Sequence, residues 1–269
     1  MNEEEMNEEA LNTKYLVYGI VPTSGTQSPK GIVGVDGQSV FLLSHNGITA
    51  VVSRVKREDD IPSLSRLLAY KGAVEAFHRG NMTGGMIPMR YGCMADDKTH
   101  IRSLLRKNRV HYTELLKELA GCVEMGIRVL ISECGVRSAE CKISATHTPH
   151  SSFRNPKPDS SGRAYLAARK THYLQKDQSS KQMEQFIERF RAIFSGLFVK
   201  WKAEVASTGS FPSGSGTRQV VSIYFLVPRD SLDRFRAAFR QAGTGENVKL
   251  LMSGPWPPYN FVAPDRAES

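Results

Sequence analysis

The sequence predicts an α+β protein of two domains: an N-terminal ferredoxin-like α/β sandwich, then a smaller α+β domain closed by a proline- and aromatic-rich strap. Three observations carry this. Short β-rich runs alternate with segments of helical period in both halves of the chain. Residues 136–160, dominated by Ser, Thr, Pro, His and Asn, interrupt that regularity and read as a linker. Finally, Gly254-Pro255-Trp256-Pro257-Pro258-Tyr259-Asn260-Phe261-Val262 is too rich in proline for a helix or a central strand, yet too apolar for a dangling tail. The expected division is a disordered acidic arm at 1–13, an N-terminal domain at 14–135, the linker at 136–160, a C-terminal domain at 161–262 and a tail at 263–269.

In chain order, Tyr15 to Val21 is an apolar run stopped by Pro22, and a Ser/Gly/Thr loop follows. Val40 to Leu43 and Ile48 to Val52 flank Asn46-Gly47, a dipeptide suited to the positive φ angles of a tight hairpin. Pro62 and Ser63 then open a helix with Leu64, Leu67, Leu68, Tyr70, Val74 and Phe77 at helical spacing, and Gly80 ends it. Met86 to Tyr91 returns to extended chain, where Pro88 demands an edge or a bulge. A longer helix carries Ile101, Leu104, Leu105, Tyr112, Leu115, Leu116 and Leu119, with Asp96 and Asp97 at its positive end. Val123, Met125, Ile127, Val129 and Ile131 alternate with Glu124, Gly126 and Arg128, the pattern of a strand buried on one face, expected to close the first half.

Past the linker, Met183, Phe186, Ile187, Phe190, Ile193 and Phe194 form a helical stripe. Val199, Trp201, Ala203 and Val205 alternate with Lys200, Lys202 and Glu204 as a half-buried strand. Val220 to Val227 is a further strand, Asp230 is placed to cap a helix bearing Leu232, Phe235 and Phe239, and Val248 to Met252 makes a last short strand.

Composition excludes whole classes. With 40% hydrophobic residues in 269, the chain can bury a core and is not globally disordered. No window approaches the roughly 18 apolar residues of a membrane helix, and Met1-Asn2-Glu3-Glu4-Glu5 is acidic where a signal peptide would be basic, so a cytoplasmic protein without a membrane partner is expected. Cys93, Cys122, Cys134 and Cys141 form no CxxC pair and suit reduced thiols. Cys134, Cys141, His147 and His150 lie close together, but their intervals depart from those of zinc ligands, and no metal is expected. The net charge of +9 would suit nucleic acid, yet Lys and Arg are spread over every segment without an RGG run or an RNP-like motif. The charge therefore reads first as a solvated surface, and a basic nucleic-acid-binding α+β protein is the alternative reading.

Chemical motifs are lacking. Gly209 to Ser215 has the glycine interval of a P-loop without its lysine, and Gly31, Gly34 and Gly37 lack dinucleotide-binding spacing. His78, His100, His111 and His172 fall in or near helices as structural histidines. The sequence has no serine elbow, HExxH or acidic metal cluster, so it supports no enzyme, cofactor or small-molecule substrate. The residues that stand out suit interaction or structure. Arg90, between Pro88, Met89 and Tyr91, either ties a strand to the domain edge or faces a partner, the structural role being favoured. For Trp256, Pro257, Pro258, Tyr259 and Phe261, packing along their own C-terminal domain is favoured over a partner's groove.

Five segments, in order, carry a resemblance: Tyr18-Gly19-Ile20-Val21-Pro22, Ile87-Pro88-Met89-Arg90-Tyr91-Gly92, Val123 to Arg128, Ala164-Tyr165-Leu166, and Gly254 to Val262. Together they resemble the gas vesicle protein F and L family from residue 14 to residue 262. Tyr91 stands where that family commonly has Phe, and residues 136–160 have their own character. The resemblance implies a cytoplasmic accessory protein of two α+β domains, acting at the gas vesicle. It would contact the small hydrophobic shell protein and other accessory proteins during nucleation or growth, with no catalytic residues or cofactors.

Overall fold

In the computed structural model, the structure describes residues 13–131, 181–208, 218–242 and 248–262, apart from positions 27, 30, 57–61, 82, 83 and 182. Its first sheet contains β1 (Thr13–Pro22), β2 (Phe41–His45), β3 (Ile48–Lys56), β4 (Ile87–Pro88) and β5 (Met94–Ala95). The strands run in the order β2-β3-β1-β4 with antiparallel pairs, and β5 pairs with β1. Asn46 and Gly47 take φ values of 45° and 90°, so the predicted dipeptide makes the β2–β3 turn.

Helices cover both faces of this sheet. On one side, α1 (Leu64–Gly80) sets Tyr70, Val74 and Phe77 against Leu16, Tyr18, Val21 and Val51. On the other, α2 (Lys98–Lys107) and α3 (Arg109–Leu119) set Ile101, Leu105, Leu115, Leu116 and Leu119 against Val17, Ile20, Ala50 and Val52. Strands buried on both faces must be apolar at successive positions, which is why β1 and β3 read as unbroken hydrophobic runs.

Two helical expectations change. The inner face of α1 is Arg66, Tyr70, Ala73, Val74, Phe77 and His78, while Leu64, Leu67 and Leu68 are 72%, 38% and 57% exposed. Two interactions fix that rotation: Arg66 pairs with Asp36 at 2.9 Å, and the Tyr70 ring stacks on Tyr18 at 5.0 Å. The single long helix expected over Ile101 to Leu119 breaks at Asn108, whose amide nitrogens, backbone and side chain, both donate to the Leu104 carbonyl. Asp97 caps α2, accepting from the His100 N–H at 2.6 Å.

The second sheet corrects a larger expectation. The strand over Val123 to Ile131, expected to complete the first sheet, is β6 (Cys122–Ile131), and it lies inside the second sheet between its neighbours. That sheet also holds β7 (Lys200–Thr208), β8 (Arg218–Pro228) and β9 (Val248–Trp256), in the antiparallel order β7-β8-β6-β9. With α4 (residues 183–193) and α5 (Leu232–Gln241), the succession β6-α4-β7-β8-α5-β9 among the described residues has the order of a βαββαβ unit. Thus the full ferredoxin-like order belongs to the second sheet. The first repeats its strand order, but β1 reaches β2 through a loop and a 3-10 turn (Val35–Gly37) in place of a helix.

The second core packs α4 and α5 on one face of the sheet. Phe194, Phe225 and Phe235 sit at its centre, with the Phe194 and Phe235 rings stacked at 4.1 Å. As an outer strand, β7 leaves Val205, and Val199 just before it, more than half exposed, and the expected alternation is lost: Trp201, Lys202 and Ala203 are all half-buried. Asp230 does not cap α5; it lies in the 3-10 turn Arg229–Ser231, and Ser231 occupies the N-cap. No described helix is long and apolar enough to cross a membrane.

Candidate interaction site

The C-terminal strap is built from β9 outward. Gly254 and Pro255 extend β9 as an outer strand beside β6, so the prolines are accommodated at a sheet edge. Gly254 holds φ +110°, and a Cβ there would meet the Glu124 carbonyl oxygen at 2.7 Å, so only glycine fits. Beyond it the chain turns away. Pro257 and Pro258 are buried, Tyr259–Phe261 forms a 3-10 turn, and Phe261 is only 5% exposed. Phe261 enters the core of the first sheet beside Leu226, a β8 residue, while Tyr259 packs on the α1 side of that sheet. The groove that receives this ribbon therefore belongs to the same chain, but not to the ribbon's own domain as expected: Phe261 and Tyr259 pack against the first sheet, so the ribbon joins the two sheets.

A carboxylate anchors the turn. Asn260 donates to Glu124 through its backbone N–H at 2.8 Å and its Nδ2 at 2.6 Å. Glu124 is buried, which pushes its carboxyl above the usual range, while the two bonds from Asn260 pull it back down. Burial, with the charges of Glu75 and Glu124 added, raises Tyr259 to about 12. Around this anchor, Lys71, Glu75, Arg128, Tyr224 and Trp256 border a depression of about 340 Å³, and Lys71 Nζ lies 4.8 Å from the centre of the Trp256 ring. Trp256 is 37% exposed, the least anchored aromatic of the strap.

A second joint lies nearby. His78, at the end of α1, meets the Cys122 carbonyl through Nε2 at 3.3 Å, and Arg229 Nη2 reaches His78 Nδ1 at 3.3 Å and the His78 carbonyl at 3.0 Å. A tautomer protonated on Nε2 serves both ring contacts. Burial, then the charge of Arg229, lowers His78 to about 4, so the imidazole is neutral in the folded protein. This histidine is a strut between α1 and the second sheet.

Arg90 is placed differently. Pro88 is buried in β4, the outer strand of the first sheet, but Arg90 is exposed just beyond it and ties nothing to the domain edge. The structural role favoured for Arg90 therefore fails, because β4 ends before it and the chain turns, with the Cys93 N–H donating to the Arg90 carbonyl at 3.2 Å. Tyr91 carries the structural part instead, meeting Tyr70 edge-on at 5.1 Å, and the Tyr70 hydroxyl donates to the Met89 carbonyl at 2.7 Å. Beside them a groove of about 330 Å³ has Ile87, Met89, Leu115 and Val262 as apolar lining and Arg90 and His111 as its basic groups. The two regions singled out in the sequence thus converge: the end of the strap, Val262, walls the groove that Arg90 borders.

Glu124, Asn260, His78 and Arg229 were not read as a set from sequence. His78 reads as a structural histidine and Glu124 as a polar position of an alternating strand, but nothing local pairs them with Arg229 and Asn260. Among the described residues no three His, Cys, Asp or Glu side chains gather as a metal site, and Cys134, Cys141, His147 and His150 lie outside the described residues, as do Gly209 to Ser215.

Comparison with known proteins gives a consistent result. Residues 14–263 match the family of gas vesicle synthesis protein GvpL/GvpF. Gas vesicle protein F of Streptomyces sp. (strain CB03234) is 26% identical over 249 residues, covering 91% of this chain and 98% of the relative. Gas vesicle protein F2 of Halobacterium salinarum is 23% identical over 250 residues, covering 91% and 90%. The crystal structure of the gas vesicle protein GvpF from Anabaena sp. PCC7120 matches the fold with a TM-score of 0.63 at 19% identity, over 96% of this chain and 99% of that one.

Proposed function

Because this chain belongs to the GvpL/GvpF family of gas vesicle synthesis proteins, we propose that it is a non-enzymatic accessory protein of gas vesicle formation that binds the hydrophobic shell protein and other accessory proteins during nucleation or assembly. It does so in the cytoplasm and at the vesicle. The observation that carries this reading is the family match, which spans both sheets and the strap. Its physical content follows from the partner's chemistry. A subunit that builds a gas-facing wall has apolar surface that aggregates unless something covers it before assembly, and a soluble protein can do so through a sheet edge or an apolar groove. Pro88, Arg90 and Tyr91, with the strap residues Trp256, Pro257, Pro258, Tyr259 and Phe261, supply or support such features.

Co-expression with the shell protein of the same organism, followed by affinity capture of this chain, tests the reading. Retention of the shell protein or of other vesicle accessory proteins is expected. Capture of none of them, together with strongly salt-dependent retention of DNA or RNA on a filter, would replace it with the nucleic-acid reading.

A further inference from the structure

Resting on that accessory reading, we propose that the groove between β4 and α3 binds an extended acidic segment of a partner protein by strand addition to β4. The backbone supplies the first argument. β4 pairs on one side only, with Gly19 opposite Pro88 and Ile20 opposite Ile87, and the Met89 N–H donates to the Tyr18 carbonyl at 3.0 Å. In a trans peptide the carbonyl and the following N–H point opposite ways, so the Pro88 carbonyl faces away from β1 behind the Met89 N–H, and the Arg90 N–H faces away from Tyr70, whose hydroxyl holds the Met89 carbonyl. One acceptor and one donor flank Met89 on the groove side. Their spacing suits one residue of an added strand, which donates its N–H to the first and accepts at its carbonyl from the second. Proline's missing N–H confines the pairing to this short stretch.

The side chains supply the second argument. Met89 and Leu115 offer apolar contact, and Val262 closes one end, so the strap shapes the site without being its contact residue. Arg90 is exposed and His111 sits across the groove on α3, while among the described residues no carboxylate lines it. The depression beside Trp256 is unlike this, since Glu75 and Glu124 line it and Glu124 is already held by Asn260. Of the two, only the Arg90 groove carries an uncompensated basic character together with a strand edge. An extended segment of alternating apolar and acidic residues complements both.

Fluorescence anisotropy of the full chain with a labelled Ac-Glu-Val-Thr-Val-Glu-NH2 peptide tests this. Saturable binding is expected, weakened at least tenfold by Arg90→Glu, by lysines in place of the peptide glutamates, and by N-methylation of its central threonine. Because Arg90 is exposed, Arg90→Glu should leave the thermal midpoint unchanged; Arg90→Ala, with a smaller loss, gives a second reading should it not. Equal binding of the acidic and lysine peptides, or full binding by Arg90→Glu, would overturn the inference. Shell-protein capture separates it from the accessory reading: capture by wild type leaves that reading standing and absence of capture sinks it, while in either case the peptide arm judges the groove.

Discussion

The two sheets share one strand order but not one environment. In the first, helices cover both faces, and β1 and β3 are apolar at successive positions. In the second, α4 and α5 cover one face, and the other carries Arg128, Lys202, Glu204 and Tyr224; among the described residues its Glu124 and Leu226 end is closed by the first unit and the strap. The difference shows that the strand order is a scaffold, and that the molecule's contact chemistry depends on what each unit leaves uncovered. Phe261 complicates the contrast. It follows the last strand of the second sheet yet is buried in the core of the first.

If the two units were independent, a change at Phe261 would disturb only its neighbours in sequence. The structure expects otherwise. Phe261→Ala removes a large side chain from a site 5% exposed, at a cost of about 3–5 kcal/mol. Urea unfolding should show that loss, and native-state hydrogen exchange should show β1 and β3 losing protection along with β6. Protection lost in the second sheet alone would restore the picture of separate units.

The joint at His78 makes a smaller, pH-dependent contribution. Its folded value of about 4 lies below the ordinary 6.5, so the unfolded chain binds the proton more readily between those values. The stability is therefore fully present above pH 6.5 and is lost as pH falls toward 4, by roughly 2 kcal/mol at pH 5. Glu124 runs the other way, because its raised carboxyl takes up a proton in the folded state first. Comparing wild type with His78→Gln at pH 7.5 and pH 5 isolates the histidine: the wild type should lose the larger stability on acidification. Equal losses would remove His78 as a pH-sensitive strut.

Much of this architecture was legible in the sequence, and its errors have physical causes. The Asn46-Gly47 turn, the placing of Asp97 at the start of its helix and the outer position of Pro88 follow from local backbone chemistry, which tertiary structure seldom overrides. The sheet to which β6 belongs is a long-range fact that periodicity does not encode. Even so, a clue was present: β6 alternates with Glu124, Gly126 and Arg128, whereas β1 does not alternate, and strands so different fit differently covered sheets. The rotation of α1 was hidden because Leu64, Leu67 and Leu68 mimic a buried stripe, while Arg66 is held inside by Asp36 from a distant loop. At the candidate site, proline and aromatic content marked both the strap and the β4 segment. That Val262 would wall the groove beside Arg90 depends on the path of the strap across two sheets, which no local pattern records.

Trp256 gives the finest division within the strap. Its neighbours Pro257, Pro258 and Phe261 are buried, but Trp256 is 37% exposed and rests under Lys71 at 4.8 Å. A cation–π contact at such an exposed place contributes about 0.5–1 kcal/mol, well below the effect of Phe261. Trp256→Ala should therefore shift the urea midpoint only slightly and leave the exchange protection of β1 intact, with Lys71→Ala producing a similar shift and the double variant little more than either alone. A loss as large as that of Phe261→Ala would mean that the strap is fastened where β9 ends. The small loss expected here would locate its fastening beyond Pro258, where Asn260 holds Glu124 and Phe261 enters the first core.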